Sequence, residues 1–183
     1  MKSDPWYIHI VLYGIIAILV IILVKIAILD PTEHVEQEKY NRTESRLRMS
    51  NIKEAEILWR KKFGNFTGNL QELIGFVKND PFVDSVVNAF DSLTRKPANP
   101  FKPLSHGQFS ADSLLKTPKS FSFYILQVDT LTQLDTVVSR KGAIVRIDST
   151  VVIGSRYFLE DPDGYGTIGS LTNEALKNTA SWE

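Results

Sequence analysis

The chain contains no cysteine and no block of charge of one sign. Among its 183 residues, 21 Lys and Arg balance 21 Asp and Glu, so the formal net charge is zero. The absence of cysteine excludes disulfides, thiolate catalysis and cysteine-ligated zinc. The absence of a basic block argues against a nucleic-acid partner, because phosphate binding needs clustered Lys and Arg.

Catalytic patterns are missing too. The three histidines, His9, His34 and His106, fall in three separate parts of the chain, and no G-x-S-x-G elbow occurs. Residues 164–169 read G-x-G-x-x-G, but a dinucleotide site needs that pattern to open a helix inside a βαβ unit, and too little chain follows it. We therefore expect no enzyme, no catalytic residue, no cofactor and no small-molecule substrate.

What the chain does contain is a long apolar run over residues 6–29 (WYIHIVLYGIIAILVIILVKIAIL), with neither charge nor proline from 10 to 24. As a helix it measures roughly 36 Å, enough to cross a hydrocarbon core of ~30 Å with some tilt. Residue types that favour the membrane interface lie near its ends. They are Trp6, Tyr7, Tyr13 and Lys25.

Three other interpretations fit this run less well. A buried core helix is normally amphipathic, whereas this run is apolar on all sides. A cleavable signal peptide has an apolar region of about 7–15 residues and a small-residue cleavage site, and neither is seen here. An interfacial helix would need a polar face. We therefore predict a leader over residues 1–5 and a transmembrane helix over residues 6–29.

A second helix is predicted over residues 30–63. Asp30-Pro31-Thr32-Glu33 matches a capped helix start, and Gly64 follows the last turn. The helix is thus expected to start anew at the proline. Its charged first half, residues 33–48, is predicted to be a solvated stalk, and residues 52–63 are predicted to pack on a domain.

The remaining residues, 64–183, are predicted to form one α+β extracytoplasmic domain. A capping pattern at Asn69 predicts a short helix to about Lys78, and apolar spacing predicts another over 82–93. The proline-rich segment 95–104 is predicted to be loop, and residues 111–115 to add one helical turn. Strands are expected over 121–128, 134–139, 143–147 and 151–159, with a turn at Lys141-Gly142 and a helix or strap over 171–183. Helices followed by strands indicate a mostly antiparallel sheet.

This order of elements resembles that of type IV pilins and the pseudopilins of type II secretion systems. Their long N-terminal helix commonly closes with an alanine, aromatic residues and a G-x-aromatic turn, matched here by Ala55, Trp59, Phe63, Gly64 and Phe66. The processing glycine of those families, and the Glu early in their apolar run, have no counterpart here. Segments 51–80 and 169–183 are also similar to uncharacterised single-span bacterial envelope proteins. The balance of Lys and Arg around the run leaves its orientation open. The resemblance implies a single-pass protein of the bacterial inner membrane with a periplasmic C-terminal domain.

One acidic turn suggests a metal site. Glu160-Asp161-Pro162-Asp163-Gly164 supplies the oxygen ligands that Ca²⁺ prefers, with Asp161 and Asp163 as the candidate ligands. The EF-hand pattern fails, because its Glu position is Thr172. The alternative is a plain turn, since Asp-Pro and Asp-Gly form turns without metal.

These observations predict a structural subunit of a bacterial envelope assembly, anchored in the membrane and pilin-like or secretion-related. Its expected partners are the membrane and either other envelope proteins or copies of itself. The residues expected to make those contacts are Gly14 and Ala17 in the span and Leu47, Ile52, Ala55 and Trp59 on the stalk helix. The alternative is an anchored binding module that captures a peptide or partner protein at its sheet edge.

Overall fold

The computed structural model describes residues 6–91, 96–97, 99–138 and 144–183. The chain divides into two compact units, Met1–Arg42 and Thr43–Glu183. The division falls inside a helix, whereas the domain was predicted to start at residue 64.

Residues 6–42, the described part of the first unit, are helical. Helix α1 spans Trp6–Val24, a π-helical turn covers Lys25–Leu29, and α2 (Asp30–Phe63) follows without a break. The expected fresh start at Pro31 is therefore wrong. A proline inside a helix lacks an N–H and crowds the carbonyl four residues earlier, and a widened turn just before it is one way for a helix to absorb the misfit.

The second unit begins with the remainder of α2, which supplies one side of the core. Met49, Ile52, Ala55 and Leu58 recur at helical spacing and are all buried. The predicted solvated stalk is wrong at its C-terminal end, because Glu44 and Ser45 are already buried. These buried residues are polar, so a search for apolar periodicity does not find them.

The end of α2 and the next helix are as predicted. Gly64 adopts a φ of 86°, which favours glycine, and its N–H donates to the Arg60 carbonyl. Helix α3 spans Leu70–Asn79, and Asn69 Oδ1 accepts from the N–H groups of Gln71 and Glu72. The capping box is only half formed, since the Asn69 N–H donates to Thr67 Oγ1 and not to Glu72.

The predicted helix over 82–93 is shorter than expected. Helix α4 spans Pro81–Val87, and Asn88 closes it by donating its N–H to the Asp84 carbonyl. Strand β1 (Phe90–Asp91) then pairs antiparallel with β2 (Lys96–Pro97), which lies in the segment predicted to be loop. A 3₁₀ turn over Ala111–Leu114 confirms the helical turn expected there.

The sheet is antiparallel, which confirms the predicted α+β class. Strands β3 (Ile125–Val138), β4 (Ile144–Glu160) and β5 (Thr167–Gly169) lie in that order. The separate strand segments expected from the sequence merge into two long strands. The turn predicted at Lys141-Gly142 lies outside the described residues.

A bulge, with one residue of β3 against three of β4, divides the β3–β4 hairpin into two parts. Val128 is opposite Tyr157 but Thr130 is opposite Ile153, so Asp129 alone faces three residues of β4. Below the bulge, residues 125–128 and 157–160 form the base, which contributes to the core. Above it, residues 130–138 and 144–153 form what we call the hairpin arm.

The C-terminal segment is both short helix and strap. A 3₁₀ turn covers Glu174–Leu176, after which Ala180 bridges Ile168 and the Ser181 N–H donates to the Thr167 carbonyl. Trp182 then packs over Gly166, where an added Cβ would lie 2.4 Å from the indole. The end of the chain thereby extends the sheet beside β5.

Candidate functional site

Helix α1 is long and apolar enough to cross a membrane. All of its residues from Trp6 to Val24 are exposed, and its apolar side chains are distributed around the whole circumference. Gly14 and Ala17 lie on this exposed surface, and a Cβ added at Gly14 would meet no described heavy atom within 4 Å. Both residues are thus open to an approaching helix or to lipid.

The predicted contact residues on α2 fall into two groups. Ile52 and Ala55 are at most 1 % exposed, so they are not surface contacts as predicted but part of the chain's own core. Leu47 and Trp59 are half-buried. Leu47 lines a shallow groove together with Arg46 and Trp182.

Trp59 belongs to an aromatic cluster at the end of α2. Its ring centroid lies 4.4 Å from that of Phe63 and 5.2 Å from that of Phe76. Phe63 remains half exposed, and the Lys62 ammonium lies 5.3 Å from its ring centroid. Lys62 also forms an ion pair with Asp80, which caps α4. The cluster therefore joins the helix ends while keeping one aromatic ring at the surface.

Two carboxyl groups of α2 are fully buried and behave differently. Burial alone would raise the pKa of Glu44, but hydrogen bonds from Ser105 and the Arg48 guanidinium outweigh it and hold that pKa below its usual range. Glu56 has no cation beside it in the described structure, and burial raises its pKa to about 8 despite the 3.2 Å bond from the Thr67 N–H. Glu56 is therefore mostly protonated at neutral pH.

The other carboxyl oxygen of Glu56, Oε1, is also buried. It has no hydrogen-bond partner among the described residues, and neither has the buried hydroxyl of Tyr157. Burial, and then the neighbouring Glu56, raise the pKa of Tyr157. The pair contributes two buried polar atoms, Oε1 of Glu56 and the Tyr157 hydroxyl, to the core.

The carboxylates of the two candidate calcium ligands accept hydrogen bonds from other parts of the fold. Asp161 is 2 % exposed and accepts a hydrogen bond from Ser45 on α2, while its Oδ1 accepts from the Asp163 N–H at 2.7 Å. Asp163 Oδ2 accepts from the Ser120 N–H at 3.2 Å. Within the described residues, no group of three or more His, Asp or Glu is placed to hold a metal ion. The acidic turn connects α2, the 117–122 loop and the sheet.

Residues 164–166 of the G-x-G-x-x-G segment lie in the turn after β4, and its last three residues form β5. The segment follows β4, as a dinucleotide loop would follow a strand, but it leads into antiparallel β5 and not into a helix. Gly169 has a φ of 83°, and a Cβ there would lie 2.4 Å from the Tyr157 carbonyl oxygen. Gly169 therefore allows close backbone packing, whereas Gly166 lies against the Trp182 side chain and Gly164 has open space around it.

The hairpin arm was not predicted from the sequence as a separate surface. Several of its apolar side chains are between 37 % and 64 % exposed: Leu131, Ile144, Val151, Val152 and Ile153. The register places them on both faces of the ribbon. In the described structure β4 pairs on its outer edge only at Phe158–Glu160, with β5, so the edge along the arm has no strand partner. The signal was present in the alternating Thr, Val and Ile residues, but Asp129 interrupted it.

Comparisons with protein-family models, curated proteins and solved structures find no match for this chain. The resemblance to pilins and pseudopilins therefore stays a prediction from the sequence.

Proposed function

We propose that this chain is a structural subunit of a bacterial envelope assembly, anchored in the membrane by residues 6–29. The observation that carries the proposal is α1, whose apolar side chains are exposed on every side. Such a surface is unfavourable in water and is covered by lipid or by protein. Its length suits the hydrocarbon core of a bilayer.

The finer parts of the proposal come from the sequence. The resemblance to pilins supports a pilin-like or secretion-related assembly, a place in the inner membrane and a periplasmic second unit. A structural role agrees with the chemistry of the second unit, where buried carboxyl groups such as Glu44 and Asp161 are occupied by hydrogen bonds within the fold.

Alkaline carbonate extraction of cell envelopes tests the anchor. We expect the full chain to stay with the membrane pellet. In the variant Ile16→Lys, a charge near the middle of the span costs about 3 kcal/mol of insertion free energy, so a larger share should appear in the supernatant. The matched variant Ile16→Leu should behave like the parent. Release of the parent chain by carbonate would refute the proposal.

The open edge of β4 favours a second candidate function, an anchored module that binds an extended peptide by strand addition. This module would be monomeric in the membrane and would crosslink to other proteins through the arm. A structural subunit that assembles with itself would crosslink to its own copies.

A further inference from the structure

The described part of the hairpin arm has two strands and no third strand beside them. Two strands alone are marginally stable in water, and a third strand or a packed face is required for independent stability. Beyond the bulge, β3 and β4 pair with each other, and the described part of the chain supplies no third strand there. Exposed Ile and Val side chains along β4 add to the cost, so pairing with a further strand would stabilise the arm.

The two outer edges differ in charge pattern. Within the described arm, the only charged residue of β3 is Asp135, whereas β4 has two charged residues, Arg146 and Asp148, on either side of Ile147. A charge of each sign at equal distances from one residue makes a strand complementary to its own antiparallel copy. The outer edge of β3 has no such symmetry.

We propose that β4 pairs with β4 of a second copy of this chain, antiparallel and with the two-fold axis at Ile147. Arg146 of each copy then lies opposite Asp148 of the other, and Ile144 lies opposite Thr150. Opposite charges at directly paired positions stabilise an antiparallel sheet. The result is a four-stranded sheet made from two arms.

The register within one chain supports the same pairing. Asp135 lies directly opposite Asp148, and like charges in that arrangement are destabilising. Arg146 already has an interaction within its own chain. In the proposed pairing, Arg146 of the second copy takes the register position opposite Asp148, in the same row as Asp135.

The paired segment is short, since residues 144–150 of each copy face one another. That is less than a stable soluble interface usually needs. Confinement to a membrane raises the effective concentration of the arms. In this respect the inference rests on the proposed function, although the pairing itself depends only on the arm.

The absence of native cysteine makes the register directly testable. In membranes that contain the full chain, Ile147→Cys should form a disulfide-linked dimer on mild oxidation, because directly opposed residues in a sheet lie within disulfide range. Thr132→Cys is the matched control, exposed on the other strand of the same arm, and it should not crosslink.

Charge variants in the Ile147→Cys background test the partner. Arg146→Asp places Asp against Asp, and Asp148→Arg places Arg against Arg, so each variant alone should lose about tenfold or more in dimer yield. Mixing the two variants, carried on tags of different mass, should restore the mixed dimer, because every paired charge is then opposite. Restoration also shows that both variants still fold.

Three outcomes would overturn the inference: no dimer from the Ile147→Cys chain, equal yields from the single charge variants and their parent, or disulfides from the introduced thiol to other proteins only. Carbonate extraction of the same membranes reports on the anchor separately. A retained Ile147→Cys chain that forms no dimer would refute the pairing and keep the proposed function, and a released chain that still forms dimers would do the reverse.

Discussion

Replacing Glu56 by Gln should stabilise the fold in a manner that depends on pH. Glu56 has a pKa of about 8 in the folded chain, against an ordinary value of 4.5. Between these values the unfolded chain has lost the proton and the folded chain still holds it. The free energy of unfolding is therefore undiminished by Glu56 below about pH 4.5, and it falls as the pH rises towards 8.

The size of the effect follows from the two pKa values. One pKa unit corresponds to about 1.4 kcal/mol, so the carboxyl group costs about 3 kcal/mol more at about pH 8 than at about pH 5. The amide introduced by Glu56→Gln would keep an oxygen for the Thr67 N–H and would not ionise. We therefore expect this variant to remove about 3 kcal/mol of pH dependence between these two conditions.

The assay is urea unfolding of the full chain in detergent at about pH 5 and about pH 8, followed by the fluorescence of Trp59 and Trp182. The difference between variant and parent isolates Glu56 from the other titrating groups. Glu72→Gln, at an exposed position on α3, is the matched control and should show no such difference. An equal difference between Glu56→Gln and the parent at both pH values would refute the reasoning.

Two further predictions concern the bulge between base and arm. Gly154→Ala should destabilise the second unit by about 3 kcal/mol or more, because the new Cβ would lie 2.3 Å from the Phe66 carbonyl oxygen at a φ of 76°. Gly164→Ala, with a similar φ and open space around it, should cost only about 1 kcal/mol in the same unfolding assay. Equal costs for the two variants would contradict the close contact at Gly154. Asp129→Asn should cost about 2 kcal/mol at neutral pH, because the buried carboxylate accepts hydrogen bonds from the N–H and Nε of Arg156. Burial alone would raise the pKa of Asp129, but those bonds and the hydrogen bond from Ser155 hold it below its usual value. The stability that this group contributes is therefore present above pH 3.8 and is lost as the pH falls through the folded pKa. A cost of Asp129→Asn that persists unchanged in strong acid would contradict this.

Local signals in the sequence predicted the helices better than their packing. The apolar run indicated α1, Gly64 the end of α2, and Asn69 the start of α3, since each depends on neighbouring residues alone. The buried face at Glu44 and Ser45 was not predictable, because its partners Ser105 and Asp161 are distant in sequence.

The arm shows the same limit for strands. Residues 121–128 and 134–139 looked like separate strands because Asp129 and the Thr-rich segment interrupt the apolar alternation. In the fold Asp129 occupies a bulge and its charge is matched by Arg156, so the strand continues. Register between β3 and β4 decides which residues share a face, and only the structure supplies it.

The central claim, that α1 is a transmembrane anchor, is tested most directly by a cysteine scan of residues 6–29 in the cysteine-free chain. Single cysteines are labelled in intact membranes with a water-soluble maleimide. We expect residues near the two ends to react from opposite sides of the membrane, and those from Ile10 to Leu23 to react only after detergent is added. Uniform labelling along the whole helix without detergent would contradict the account.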